Sequence, residues 1–196
     1  MQPIDELLLK KAATGDMEAF EGLVLASEKL IYSACYRLLG NIEDARDASQ
    51  EVFIKLYRNI DKCTNSSTYK AWIYRIAYNT CVDFLRKKKG KEPPISINQQ
   101  VALDENEIEI QLKSDELTPE EKYIQEETKV VVQHAIDKLK ETYKPLIVLR
   151  DIQGLSYEEI AKVTDIPIGT VKSRISRGRQ KLKEYLEATI PEGPVD

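Results

Sequence analysis

The sequence predicts an all-α fold: two small helical domains joined by a flexible acidic linker. Three observations predict it. Apolar residues recur at helical spacing through the first ninety residues, with no strand alternation. A proline pair followed by an acidic stretch then interrupts that pattern. Beyond it, Leu155 to Arg179 reads as a helix, a tight turn and a strongly basic second helix. The resulting boundaries are 1–92, 93–117 and 118–190.

In the first domain, Phe20, Leu23, Val24, Leu30, Ile31, Ala34, Cys35 and Leu38 form a long amphipathic stripe, stopped by Gly40 and Asn41. Asn41 can cap the next helix, and Glu43 and Asp44 suit the positive end of its dipole. That helix runs to about Ile60, with Ala45, Ala48, Val52 and Leu56 inward. Asp44, Asp47, Gln50, Glu51, Ile54, Lys55 and Arg58 stay outside, as either a protein-docking surface or an ordinary solvated face. Asp61 to Thr68 is polar and loop-like, so Cys63 is open to exposure.

A further helix runs from about Tyr69 to Lys89, burying Ile73, Ile76, Ala77, Thr80, Cys81, Phe84 and Leu85. Its other side carries Arg75, Asn79, Val82, Asp83 and Arg86, flanked by Trp72, Tyr74 and Tyr78. Cations interleaved with aromatics suit opened nucleic acid, because aromatic rings stack on unpaired bases while cations hold the backbone. Core aromatics beside a solvated basic end would give the same pattern.

Pro93-Pro94 cannot continue a helix. Thr118-Pro-Glu-Glu121 restarts one with a cap, a proline at the first position and a capping-box glutamate. Helices over about 119–140 and 143–152 precede the helix-turn-helix. Ser156 and Glu159 form the box that opens its first helix, Ile160, Ala161 and Val163 face inward, and Asp165 suits the turn. Pro167 opens the second helix, which packs through Val171, Ile175, Leu182 and Leu186. Lys172, Ser173, Ser176, Arg177 and Gln180 point away from the core, with Arg174, Arg179, Lys181 and Lys183 on the same helix. Such a helix can lie in the major groove of DNA, its first residues on base edges and its later cations on phosphates.

The net charge of −4 looks wrong for a nucleic-acid binder, but it is unevenly spread. Residues 1–90 hold 14 basic and 12 acidic residues, 91–127 hold 3 and 11, and 128–196 hold 12 and 10. The acidity is confined to the middle. No apolar run reaches the roughly 18 residues of a membrane span, and the N-terminus lacks a signal-peptide pattern, so the expected location is cytoplasmic. Cys35, Cys63 and Cys81 are scattered and His134 is the only histidine, which argues against a zinc site or a disulfide framework. No nucleophile, base or metal constellation marks an enzyme, and no cofactor or small-molecule substrate is expected.

Gly15-Asp-x-Glu-Ala-Phe20, Asp44-Ala-x-Asp-x-x-Gln-Glu-Val-Phe53 and Tyr69-x-Ala-Trp-Ile-Tyr-Arg-Ile-Ala-x-Asn79 resemble region 2 of the extracytoplasmic-function (ECF) sigma factors, in the sigma-70 family. Leu155-Ser-Tyr-Glu-Glu-Ile-Ala161 and Ile168-Gly-Thr-Val-Lys-Ser-Arg-Ile175 resemble region 4. The resemblance implies an RNA polymerase sigma factor, serving a stress or envelope response. Asp44, Asp47, Gln50, Glu51, Ile54, Lys55 and Arg58 would dock on the clamp helices of the β′ subunit of core polymerase, and region 4 on the β flap. Asn65, Ser66, Ser67, Trp72, Arg75, Tyr78, Asn79, Asp83 and Arg86 would recognise and melt the −10 promoter element. Thr170, Lys172, Ser173, Arg174, Ser176, Arg177 and Arg179 would read the −35 element. Residues 91–127 would thread toward the polymerase active site as an RNA-like polyanion. An anti-sigma factor, often membrane-anchored, is an expected partner and would hold the chain at the inner membrane face. The residues alone leave two other readings, an autonomous helix-turn-helix regulator and a helical adaptor that binds only protein.

Overall fold

The computed structural model describes residues 4–63, 65–90 and 119–189, with the backbone alone for Lys89 and for 119–127. The predicted linker, 93–117, lies outside the described residues. Those described are helical, without strands.

The first domain is built from α1 (Glu6–Ala13), α2 (Met17–Leu39), α3 (Ile42–Asn59) and α4 (Ser66–Lys89), with a 3-10 turn at Ile60–Lys62. Each helix begins on a side-chain cap that satisfies an otherwise orphaned N–H. The carboxylates of Asp5 and Asp16 accept from Leu7 and Ala19, and the side-chain carbonyls of Asn41 and Asn65 accept from Asp44 and Ser67. Gly40 ends α2 in the left-handed region, at φ +72°, as the stop after Leu38 predicts. The Asn65 cap moves the start of α4 to Ser66, three residues before the expected Tyr69, so the loop after α3 is shorter than the sequence suggests.

The core of this domain joins Leu23, Ile31 and Cys35 of α2 to Ala45, Ala48, Val52 and Leu56 of α3, and to Tyr69, Ile73, Ala77 and Cys81 of α4. The small residues on facing stripes let the helix axes approach closely. Cys35 and Cys81 are buried as predicted. Cys63 is buried too, at 5% exposure, which corrects the expectation that it could face solvent. Its thiol lies 3.9 Å from the Asn65 carbonyl oxygen, and burial pushes its pKa up.

The second domain holds α5 (Pro119–Asp137), α6 (Lys144–Ile147), α7 (Tyr157–Thr164) and α8 (Ile168–Glu187). A π-helical turn, Val148–Ile152, continues α6. Ser156 and Glu159 form the predicted capping box, and Asp165 adopts the left-handed conformation at φ 56°. Ile160, Val163, Val171 and Ile175 are buried, whereas Leu182 and Leu186 are only half-buried. Gly178 marks a close approach between α8 and α6. A Cβ there would sit 3.0 Å from Ile147 Cγ1 and 3.3 Å from Tyr143 Cβ.

The two domains pack against each other. Tyr74 of α4 donates to Gln153 Oε1 at 2.7 Å, in a buried bond. Arg37 of α2 donates to Gln133 Oε1 at 2.9 Å. Tyr74 is 1% exposed, which corrects its placement beside a solvent-facing surface. Gln153 Nε2 is buried without a partner among the described residues, at a desolvation penalty of about 1–3 kcal/mol.

Two outcomes follow from this packing. Gly178→Val should destabilise the second domain by about 1–3 kcal/mol, because its Cβ would crowd the Ile147 side chain at 3.0 Å and its γ-methyls add further bulk at that crossing. A thermal melt no lower than wild type would refute that tightness. Burial pushes the Tyr69 phenol up to about 12 from 10.0, against the opposing effect of its bond to Ser27. A raised folded pKa gives stability that is complete below the unfolded value and lost as pH climbs through the folded one. Urea unfolding should therefore weaken by roughly 2–3 kcal/mol between about pH 10 and 12. The fall should be shallower in Tyr69→Phe.

Candidate nucleic-acid interfaces

α4 presents the first of two faces. With Tyr69, Ile73, Ala77 and Cys81 fixed in the core, helical spacing turns Arg75 and Asn79 to solvent and leaves Trp72 half-buried between them and the interior. Trp72, Arg75, Ile76 and Asn79 form one side of a groove of about 480 Å³, and Lys55, Asn59 and Lys62 the other. Lys62 Nζ donates to Asn59 Oδ1 at 2.6 Å, and Lys55 Nζ to Thr80 Oγ1 at 3.1 Å. The groove thus joins an indole to several cations, the combination that opened single strands require.

Asn59 and Lys62 were missed in the sequence because they fall at the end of α3 and in the turn after it. Their three-residue spacing is the one signal that could have found them. Lys55 belongs to this groove as well as to the docking surface in which its sequence position places it. Asn65 works as a cap, with Ser66 and Ser67 in the first helical turn rather than in a loop. Asp83 and Arg86 pair at 3.5 Å at the far end of α4, beyond the groove.

The α3 surface matches its predicted pattern. Asp47, Gln50, Ile54 and Arg58 are exposed, while Asp44, Glu51 and Lys55 are half-buried. Lys88 of α4 binds the Asp44 carboxylate at 2.7 Å. Tyr57, 52% exposed and edge-on to Phe20, extends the apolar part beside Ile54. The sequence pattern did not single it out.

α8 presents the second face. Lys172, Ser173, Ser176 and Arg177 are exposed, Thr170 is half-buried, and among the described residues Arg177 has no ion-pair partner. Lys172 Nζ and the Arg150 guanidinium lie over the Tyr157 ring, 5.8 Å and 4.6 Å from its centroid. Arg179 forms a bidentate ion pair with Asp151 on the π-helical turn, and that bond holds its pKa above the ordinary arginine value. Lys181 is paired with Glu184 at 2.6 Å and Lys183 with Glu187 at 3.5 Å. Arg177, at the C-terminal end of that outward row, has neither an ion pair nor a ring contact among the described residues.

Arg174 of α8 is half-buried, and burial pushes the Tyr78 phenol up while the Arg174 charge opposes that rise. Among the described residues no cluster of His, Cys, Asp and Glu is arranged to hold a metal, and no helix is long and apolar enough to cross a membrane.

This geometry can be compared with known proteins. Residues 23–91 match the sigma-70 region 2 family model, and residues 129–182 match that of sigma-70 region 4. The chain is 39% identical over 179 residues to the ECF RNA polymerase sigma factor SigW of Bacillus subtilis (strain 168), covering 91% of this chain and 94% of that one. It is 35% identical over 189 residues to the ECF RNA polymerase sigma-E factor of Escherichia coli (strain K12), covering 96% and 97%. Among solved structures, CnrH in complex with the cytosolic domain of CnrY shares the fold, with a TM-score of 0.67 at 24% identity over 95% of this chain and 99% of that one. Two family models in the right order, and relatives matched along nearly their whole length, establish that the chain belongs to the ECF RNA polymerase sigma factors.

Proposed function

We propose that this chain binds core RNA polymerase through the α3 surface, reads the −35 promoter element with α8, and recognises and melts the −10 element with the α4 groove. The observation that carries this reading is the pairing of two unlike nucleic-acid faces in one chain. An outward row of Lys172, Ser173, Ser176 and Arg177 suits duplex DNA, and a groove of Trp72, Arg75, Asn79 and Lys62 suits opened strands. An autonomous regulator needs only the first face, and a protein-binding adaptor needs neither.

The domains are 1–92 and 118–190, joined by 93–117, and the linker's acidity fits a path through polymerase surfaces shaped for phosphates. The chain is not an enzyme: catalysis belongs to the polymerase. It works in the cytoplasm, in a stress or envelope response, until an anti-sigma factor holds it at the inner membrane face. The −10 and −35 elements, about 25 base pairs apart, are separated by on the order of 80 Å at about 3.4 Å per base pair. Tyr74 of the first domain is bonded to Gln153 of the second in the free chain, so the domains must separate before both elements are engaged.

Gel shift of promoter DNA with and without core polymerase tests the whole reading. Binding that needs both proteins is expected. Tight binding by the chain alone would instead support a regulator, and no binding under either condition an adaptor. Within the complex, Arg177→Ala should weaken discrimination at one −35 base pair by about 1–3 kcal/mol. An equal loss on every sequence would make Arg177 a phosphate contact.

A further inference from the structure

Tyr157 connects two parts of the second domain that lie far apart in sequence. It is the first residue of α7 and is held there by the capping box. In that box Ser156 N donates to Glu159 Oε2 at 2.7 Å, and Glu159 N donates to Ser156 Oγ at 3.1 Å. The Arg150 guanidinium, on the π-helical turn, stands over the Tyr157 ring at 4.6 Å from its centroid. Lys172 Nζ, near the start of α8, stands over the same ring at 5.8 Å. Both fall within the roughly 6 Å over which an aromatic face attracts a cation. Arg150 has a second anchor, since its Nη1 donates to the Leu155 carbonyl at 2.6 Å. Asp151 leads the effects that hold the Arg179 pKa up, and Tyr157 adds to them. One half-buried ring thus gathers cations from the turn and from α8.

We infer that Tyr157 is a positioning residue for −35 recognition, its ring fixing the Lys172 ammonium on the same aromatic platform as Arg150 before DNA arrives. What Lys172 then touches rests on the proposed function; its fixing rests on the ring geometry. The gain is entropic. Lysine is a point charge on a flexible four-carbon stem. Lys172 is exposed and has no ion pair among the described residues, so without the ring it would sample many rotamers. Ordering such a side chain on binding costs affinity, and a ring that has already narrowed its rotamers removes part of that cost. Tyr157 itself need not meet DNA for this to act.

Tyr157→Leu removes the ring, and Tyr157→Phe keeps it without the hydroxyl. Holoenzyme assembled from the full chain and core polymerase is titrated with promoter DNA and with a −10 fork that lacks the upstream duplex. The ratio of the two affinities isolates the −35 contribution. Tyr157→Leu should cut that ratio about two- to tenfold, the worth of one or two exposed cation–π contacts, and Tyr157→Phe should keep it. In a Lys172→Ala background Tyr157→Leu should cost less than in wild type, because part of its effect is already gone. In the free chain, the ring current should move the Lys172 ε-methylene protons upfield in NMR spectra of wild type and Tyr157→Phe, but not of Tyr157→Leu. Should Tyr157→Leu melt early by circular dichroism, Tyr157→Met, also without a ring, takes its place. An unchanged ratio in the folded variant, an equal loss in Tyr157→Phe, or full additivity with Lys172→Ala would overturn the positioning role. So would the absence of the ring-current shift in wild type. A shift that is present while wild-type holoenzyme binds promoter DNA and the fork equally would contradict the proposed function and leave the fixing of Lys172 standing.

Discussion

The hydroxyl of Tyr69 lies 3.2 Å from that of Ser27, inside the first domain, and this contact sets how α4 lies on α2. Both residues are buried, so neither polar group has water as an alternative partner. Once Tyr69 is pinned, helical spacing carries Ile73, Ala77 and Cys81 into the core and directs Arg75 and Asn79 outward. The same rotation sends Tyr74 sideways, to Gln153 of the second domain. One helix thus carries the core stripe, the Trp72 groove and the domain seam, and a change in its roll would disturb all three.

The second domain solves its orientation problem with backbone devices. The capping box at Ser156 starts α7, the left-handed Asp165 ends it, and Gly178 lets α8 cross Ile147 closely. The outward row of α8 follows from that crossing. Its cations are unequal: Asp151 occupies Arg179 and Tyr157 attracts Lys172, while Arg177 has no such partner. Arg179 thereby braces the π-helical turn, and Arg177 stays open to solvent.

Much of the fold was legible because local chemistry determines it. Asn41, Gly40, Ser156, Glu159 and Asp165 each do in the structure what their residue types favour in isolation. The stripe of α4 and the outward row of α8 were legible for the same reason, since spacing alone assigns their sides. What was not legible depends on partners distant in sequence. Tyr74 looks like a surface aromatic until Gln153, 79 residues away, covers it. Cys63 looks like a loop residue until the 3-10 turn and the Asn65 cap fold over it. Lys62 and Asn59 carry no motif and join the groove only through the bend after α3. Gly178 sits mid-helix, where its reason is the Ile147 side chain rather than a turn.

The packed domains and the separated promoter elements lead to one central claim: the two nucleic-acid faces act together only after polymerase holds them apart. Footprinting of promoter DNA, by the chain alone and by the chain with core polymerase, tests it most directly. The chain alone should give no protection, and with core polymerase present the −35 and −10 elements should be protected together, with a melted −10 region. Protection of both elements by the free chain would contradict it.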